Sequence, residues 1–281
     1  MLLIRKAADL QSVLVREGKK LGFVPTMGAL HEGHLSLIRT SKSENDLTCC
    51  SIYVNPTQFN DVQDLAAYPR QVERDLVLLS DAGCDVVFLP DHDQMYPQGL
   101  HALHRYPLHP LDEMLEGASR PGHFQGVANV VDRLLQLVRP EALYMGQKDF
   151  QQVKVVERLL AYRNYPVRLV MCPTVREASG LAMSSRNARL TESQRLNAAR
   201  IWSELCWIRQ ESRNRPWPEL RQQAISRLNA LPDMQVDYLH CCRSDTLEFL
   251  INRPDQPTCV VWLIAVVVGG VRLLDNILFE T

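Results

Sequence analysis

His31 and His34, with Gly28 and Gly33 beside them, are the side chains of this chain best placed to do chemistry at a phosphate. They lie in Pro25-Thr26-Met27-Gly28-Ala29-Leu30-His31-Glu32-Gly33-His34, which follows an apolar run from Leu21 to Val24 and leads into a helix-like stretch. Glycine lets backbone approach a ligand closely, and a helix N-terminus presents unpaired N–H groups, so the segment reads as an anion site suited to a nucleotide triphosphate. Two imidazoles on one side of a first helical turn would both face one phosphate chain and stabilise charge as phosphorus is attacked. The plainer alternative is that one ring caps the helix while the other packs. A metal reading is weaker, because HExxH spacing is absent and no cysteine lies nearby in sequence.

Two further segments carry polar groups at strand-to-helix turns. Gly146-Gln147-Lys148-Asp149 follows the apolar run Ala142 to Met145 and precedes Phe150-Gln151-Gln152, the start of a helical pattern. There Lys148 could neutralise phosphate, Asp149 could accept from a ribose or cap the helix, and Gln152 could hold a small substrate's hydroxyl or carboxylate. Pro173-Thr174-Val175-Arg176 precedes Gly180-Leu181-Ala182-Met183-Ser184-Ser185-Arg186-Asn187, whose hydroxyls and guanidinium suit a mobile loop over a triphosphate. Each segment alone reads as an ordinary turn. At the carboxyl ends of strands in one sheet, they converge.

The elements that must position these groups are legible as alternation. Leu21 to Val24, Leu47 to Val54, Asp85 to Leu89, Ala142 to Met145 and Val167 to Cys172 read as strands. Leu35 to Ser43, Val72 to Ala82, Val127 to Leu137 and Phe150 to Ala161 read as helices, with Gly83 stopping the second. The expected fold class is therefore α/β: a Rossmann-like, doubly wound parallel sheet. The proline-rich stretch from Tyr96 to Gly126 reads as an excursion over the sheet's carboxyl edge. Past about Arg186 the texture changes. Thr191-Glu192-Ser193-Gln194 is a capping box opening a long helix to about Gln210, and Pro216 to Leu231 supports another helix, ahead of strands Gln235 to Cys241 and Val260 to Val268. A boundary in the 176–188 region separates a nucleotide- and substrate-binding domain, 1–180, from a smaller α+β C-terminal lid domain, 181–281.

Bulk properties narrow the partners. The 281 residues carry 31 Lys plus Arg against 32 Asp plus Glu, a formal charge of -1, which provides no basic field for a nucleic-acid backbone. The eight cysteines show no CxxC and no regular framework, as expected for reduced thiols in the cytoplasm. The first residues lack the order of a signal peptide, and the strongest apolar run, Cys259 to Val268, is far shorter than the roughly 20 residues a membrane-crossing helix needs.

At this point a resemblance becomes specific. VPTMGALHEGH at 24–34, SIYVNPTQF at 51–59, AYPR at 67–70, LEGASRPGHFQGV at 115–127, GQKDFQQ at 146–152, PTVREASGLAMSSRN at 173–187 and RLLDN at 272–276 resemble the pantothenate synthetase (pantoate-β-alanine ligase) family of the nucleotidyltransferase superfamily. The resemblance implies a ligase that joins pantoate to β-alanine through a pantoyl adenylate, with ATP and Mg2+ as cofactors and a homodimer as the assembly. It assigns Met27, Gly28, Ala29, Leu30, His31, Glu32, Gly33, His34, Gly146, Gln147, Lys148, Asp149, Val175, Met183, Ser184, Ser185 and Arg186 to ATP. It makes His34 the catalytic histidine, supported by His31 and Lys148, and gives Gln58 and Gln152 to the substrates. Arg120 and His123 would help close the pocket.

Two departures from the family pattern stand out. Gln147 replaces a common glutamate, and Arg74 stands beside Asp75 where an acidic pair that can hold magnesium is usual. No strong protein-held metal site is therefore expected, and magnesium should travel on the ATP phosphates. The alternatives are another nucleotidyltransferase, which would want basic groups for an acceptor phosphate, and a non-catalytic nucleotide-binding protein.

Overall fold

Runs rich in Val, Leu, Ile and Cys become strands of a parallel sheet, because strands covered by helices on both faces have no solvent side on which polar residues would alternate. The computed structural model describes residues 1–14, 18–60 and 62–281. Its first sheet comprises β1 (Leu2–Ile4), β2 (Leu21–Thr26), β3 (Leu47–Ile52), β4 (Val86–Phe88), β5 (Ala142–Gly146) and β6 (Arg168–Cys172). The order is β1-β4-β3-β2-β5-β6, with every pair parallel. The chain runs outward through β2, β3 and β4, then returns to lay β5 beside β2. The topological switch point therefore falls between β2 and β5, where sheets of this kind bind ligands at their carboxyl ends. Pairing between β2 and β5 stops at Phe23, two residues before Pro25, which has no N–H to extend a ladder.

The expected doubly wound α/β fold is observed, with shifts at element ends. The helix expected from Leu35 begins at Glu32, that from Val127 begins at His123, and that from Phe150 extends to Arg163. Val72–Asp81 ends as Gly83 foretold: Gly83 is left-handed at φ 80°, its N–H reaches the Ser80 carbonyl, and the Cys84 N–H reaches that of Leu79. Strand β1 was not foreseen. It is a three-residue edge strand with no fully buried residue, too short to show a period.

The proline-rich excursion satisfies its backbone without a sheet. Gln125 and Asn129, one turn apart on helix His123–Val138, use their amides as a ladder edge. Gln125 accepts from the Tyr106 N–H and donates to its carbonyl, both at 2.9 Å, and Asn129 does the same for His104 at 2.9 and 2.8 Å.

The chain divides into one unit of residues 1–146 and 151–173 and another of 147–150 and 174–281. The second unit holds the antiparallel sheet β10-β9-β7-β8, from β7 (Met234–Arg243), β8 (Phe249–Leu250), β9 (Cys259–Val268) and β10 (Val271–Glu280). Helices Glu192–Ala198, Arg200–Glu211 and Trp217–Asn229 cover one face, and Trp217 meets Trp262 edge-on at 5.6 Å in their core. The capping box at Thr191 and Gln194 forms, but the single long helix expected there is two helices parted at Ala199. Strand β10 also went unforeseen. Gly269 and Gly270, at φ 53° and 80°, are the two-residue turn with both φ positive that reverses an apolar strand into a hairpin.

All eight cysteines are free thiols, and burial pushes those of Cys84 and Cys242 up to about 12. Among the described residues, no helix is long and apolar enough to cross a membrane.

Candidate active site

The loop leaving β2 is shaped by hydrogen bonds within the protein. The Thr26 hydroxyl donates to the Ser51 carbonyl at 2.7 Å and accepts from the Gly28 N–H at 3.2 Å. Gly28 and Ala29 are then both left-handed, at φ 81° and 52°. For Ala29 this conformation costs about 1–2 kcal/mol. The cost is offset by buried charge-assisted hydrogen bonds: the Asp75 carboxylate accepts from the N–H groups of Ala29 at 2.9 Å and Leu30 at 2.8 Å. Leu30 drops into the core beside Val24, Ile38 and Leu79. Met27 is half-buried, and its sulfur accepts from the Gln58 amide.

His31 is the N-cap of helix Glu32–Glu44, the capping role that the plainer reading of the histidine pair gives to one ring. His31 Nδ1 accepts from the Gly33 N–H at 3.1 Å, while His34 Nδ1 accepts from the His31 N–H at a long 3.4 Å, a reciprocal capping box made of imidazoles. The ring centroids stand 4.1 Å apart. Because each Nδ1 is an acceptor, each neutral ring carries its proton on Nε2. Capping thus turns two imidazoles into two oriented donors at the positive end of a helix dipole. Glu32 sits on the helix surface, paired with Arg39.

Gln58 is buried in the turn after β3, and its aim is set by residues that carry no obvious motif. Asn55, 1% exposed, donates to Gln58 Oε1 at 3.1 Å and to the Gly126 carbonyl at 3.1 Å, while its own oxygen accepts from Tyr96 at 2.8 Å. The Gln58 carbonyl accepts from His123 Nδ1–H at 2.7 Å and Arg120 Nη2 at 3.1 Å, and His123 Nε2 accepts from Arg120 Nη1 at 3.3 Å. Arg120 and His123, expected to help close the pocket, both hold this carbonyl. Helix His123–Val138 can approach so closely because of Gly126, where a Cβ would stand against the Thr57 carbonyl and within 2.8 Å of Gln58 Cα.

Gly146 ends β5, and Gln147–Asp149 continues as a short 3-10 turn. Asn276 of β10 pins that turn, donating to the carbonyls of Gln147 at 2.9 Å and Lys148 at 3.0 Å and accepting from the Gln147 amide at 3.1 Å. The Lys148 ammonium lies 3.3 Å from Asp149. Gln152 is half-buried on the first helical turn beyond. Its neighbour Gln151 is structural, with its amide tied to the backbone of Leu111, Met114 and Glu116.

The segment expected as a mobile clasp pairs with itself as a hairpin. The Met183 N–H bonds the Val175 carbonyl at 3.0 Å, the Glu177 N–H bonds that of Leu181 at 2.8 Å, and Arg176 bridges Ala182. Arg176 forks onto Asp275 at 2.7 and 2.9 Å, with its guanidinium 3.4 Å from the centre of the Trp202 ring. Ser184 caps the 3-10 turn Ser185–Arg189 by accepting from the Arg186 N–H at 3.3 Å, so its hydroxyl already orients a main-chain donor. Ser185 and Arg186 are half-buried on that turn.

Asp75, Asn55, Asp275 and Asn276 are thus supporting residues to which motif reading gave no such role. Asn-Pro at a turn is a usable cue for Asn55. Asp275 and Asn276 are adjacent polar residues in the middle of an apolar strand, where burial demands partners.

Comparison with known proteins gives the site a context. A family model described as pantoate-beta-alanine ligase matches residues 2–278. The chain is 44% identical over 264 residues to the pantothenate synthetase of Cytophaga hutchinsonii, covering 93% of this chain and 92% of that one. It superposes on the crystal structure of pantothenate synthetase from Thermus thermophilus with a TM-score of 0.92 at 40% identity, covering 99% of both chains. It is also similar to the pantoate-beta-alanine ligase of Francisella tularensis, crystallised with beta-gamma ATP and beta-alanine. That match has a TM-score of 0.83 at 35% identity and covers 99% of this chain and 97% of the other.

Proposed function

The chain belongs to the pantoate-β-alanine ligase family, and from that premise we propose how its residues divide the work of condensing pantoate with β-alanine. ATP and pantoate react first: a pantoate carboxylate oxygen attacks the α-phosphorus, the bond to pyrophosphate breaks, and a pantoyl adenylate forms. The β-alanine amine then attacks the acyl carbon, loses a proton and expels AMP, leaving pantothenate.

The observation that carries this reading is the imidazole capping box. It presents the Nε2–H groups of His31 and His34 at the head of a helix, the arrangement that stabilises charge developing on phosphate oxygens. We assign the loop from Met27 to His34, together with Gly146 to Asp149, Val175 and Met183 to Arg186, to ATP. His34 acts as the chief catalytic donor, His31 as its partner, and Lys148 as a compact cation on the phosphates. Gln58 and Gln152 hold pantoate, with Gln58 also close to β-alanine. A neutral amide suits this task, because a cation would quench the carboxylate that must attack. Each end of the Gln58 amide uses one partner within the protein and keeps a second N–H or lone pair for substrate.

Magnesium enters as the ATP complex, a substrate. The residues at 74–75 do not fit a resident ion: Asp75 is 1% exposed with its carboxylate bonded to two backbone N–H groups, and Arg74 turns to Gln71. The enzyme acts in the cytoplasm, in keeping with its free thiols, and works as a homodimer.

The deciding experiment uses pantoate labelled with heavy oxygen in its carboxylate. One label should appear in AMP, and omission of β-alanine should leave ATP–pyrophosphate exchange intact. AMP without label, or a nucleotide retained covalently on the acceptor, would overturn the route. The Gln58 support is testable separately. Gly126→Ala should cost about 1–3 kcal/mol of stability by overpacking against main chain that cannot rotate away. It should also raise KM for pantoate severalfold while KM for ATP holds. Urea midpoints and steady-state kinetics read both, and an unchanged pantoate KM would detach Gln58 from that substrate.

A further inference from the structure

Asp75 is 1% exposed, so its carboxylate must find its partners inside the protein. It finds them in two consecutive N–H groups, those of Ala29 and Leu30, which converge because Gly28 and Ala29 are both left-handed. Successive N–H groups turned to one side form a concave anion site, and here the anion that fills it is the protein's own. The fit is close: a Cβ on Gly28 would lie 2.9 Å from Asp75 Oδ2. One residue beyond this clamp, His31 begins the capping box that orients both imidazoles.

We infer that Asp75 is a positioning residue for the nucleotide loop: by clamping Ala29 and Leu30 it fixes where the His31 and His34 donors stand, and it takes no part in holding magnesium. This rests on the reading of residues 27–34 as the ATP loop. The carboxylate has no room for a hydrated cation, since the residue is 1% exposed and both oxygens lie against the main chain of the loop. Magnesium prefers to retain several waters. Arg74, the preceding residue, is exposed and donates to Gln71 at 2.9 Å, so it brings no second acid to the position.

The test compares Asp75→Ala and Asp75→Asn with the wild-type full-length chain. Kinetics are measured with ATP varied at saturating pantoate and β-alanine, then with free Mg2+ varied at saturating ATP. For Asp75→Ala, kcat/KM for ATP should fall by about 10- to 100-fold, the scale expected when a catalytic group is displaced by about 1 Å. KM for pantoate should stay within about twofold and the half-saturating free Mg2+ should not move. Asp75→Asn keeps one acceptor and should fall between. A rise of about tenfold in the Mg2+ requirement, or ATP kinetics like the wild type's, would overturn the assignment.

Should Asp75→Ala fail to fold, Asp75→Asn and amide hydrogen exchange decide. The Ala29 and Leu30 amides should be protected in the wild type, and at least one should exchange faster in Asp75→Asn. Equal exchange in the two proteins counts against the clamp. Because exchange is read without turnover, it separates failure of the clamp from failure of the ligase reading.

Discussion

His34→Ala should lower the rate of pyrophosphate release at saturating substrates by about 10² to 10³, the typical loss when one preorganised donor to a developing charge is removed. Stability should fall far less. The side chain also accepts from the His31 N–H, so its removal deletes half of a capping box, worth about 0.5–2 kcal/mol. The two roles can be separated with His34→Asn, whose side-chain oxygen can accept from the same N–H but places no donor where Nε2–H stood. That variant should recover most of the stability and none of the rate. A His34→Ala enzyme within threefold of wild-type turnover would remove the ring from the chemistry and leave it a cap.

Asp275→Ala should destabilise the protein by about 3–5 kcal/mol, because it strands a guanidinium that is only 16% exposed. Arg176 has no comparable partner to turn to. Its remaining contacts are the Gly180 carbonyl at 3.1 Å and the face of Trp202, and neither neutralises the charge. The damage should reach the site, since the same fork ties the hairpin of Val175 and Met183 to β10, and the next residue, Asn276, holds the Gln147–Lys148 main chain. Asp275→Asn, which keeps an acceptor while losing the charge, should cost less. Urea unfolding and ligase assays on the same samples read both effects. A loss below about 1 kcal/mol for Asp275→Ala would mean that Arg176 is solvated rather than paired.

The parallel sheet was legible from pattern because its inner strands, buried on both faces, are short continuous apolar runs parted by helical spacing, a signal carried by neighbouring residues. Where recognition failed, the signal was too short or came from elsewhere in the chain. Strand β1 spans three residues and has no period to read. Strand β10 interrupts its apolar residues with Arg272, Asp275 and Asn276, and the burial of the last two depends on Arg176 and on the 147–148 turn. Ala199 parts two helices without a proline or glycine to announce it.

The site divides along the same line. Of the residues we assign to the chemistry, His31, His34 and Lys148 are recognisable from type and spacing, since an imidazole or an ammonium has its reactivity wherever it stands, whereas Gln58 is reached only through the family resemblance. The aim of those groups is a different matter. Whether a ring carries its proton on Nδ1 or Nε2, and whether a loop residue is left-handed, depends on hydrogen bonds to positions such as Asp75 and Asn55, which no local pattern couples to the motif. Residue identity sets what a group can do at short range. Folding brings distant partners within bonding distance, and those contacts set which way each group points.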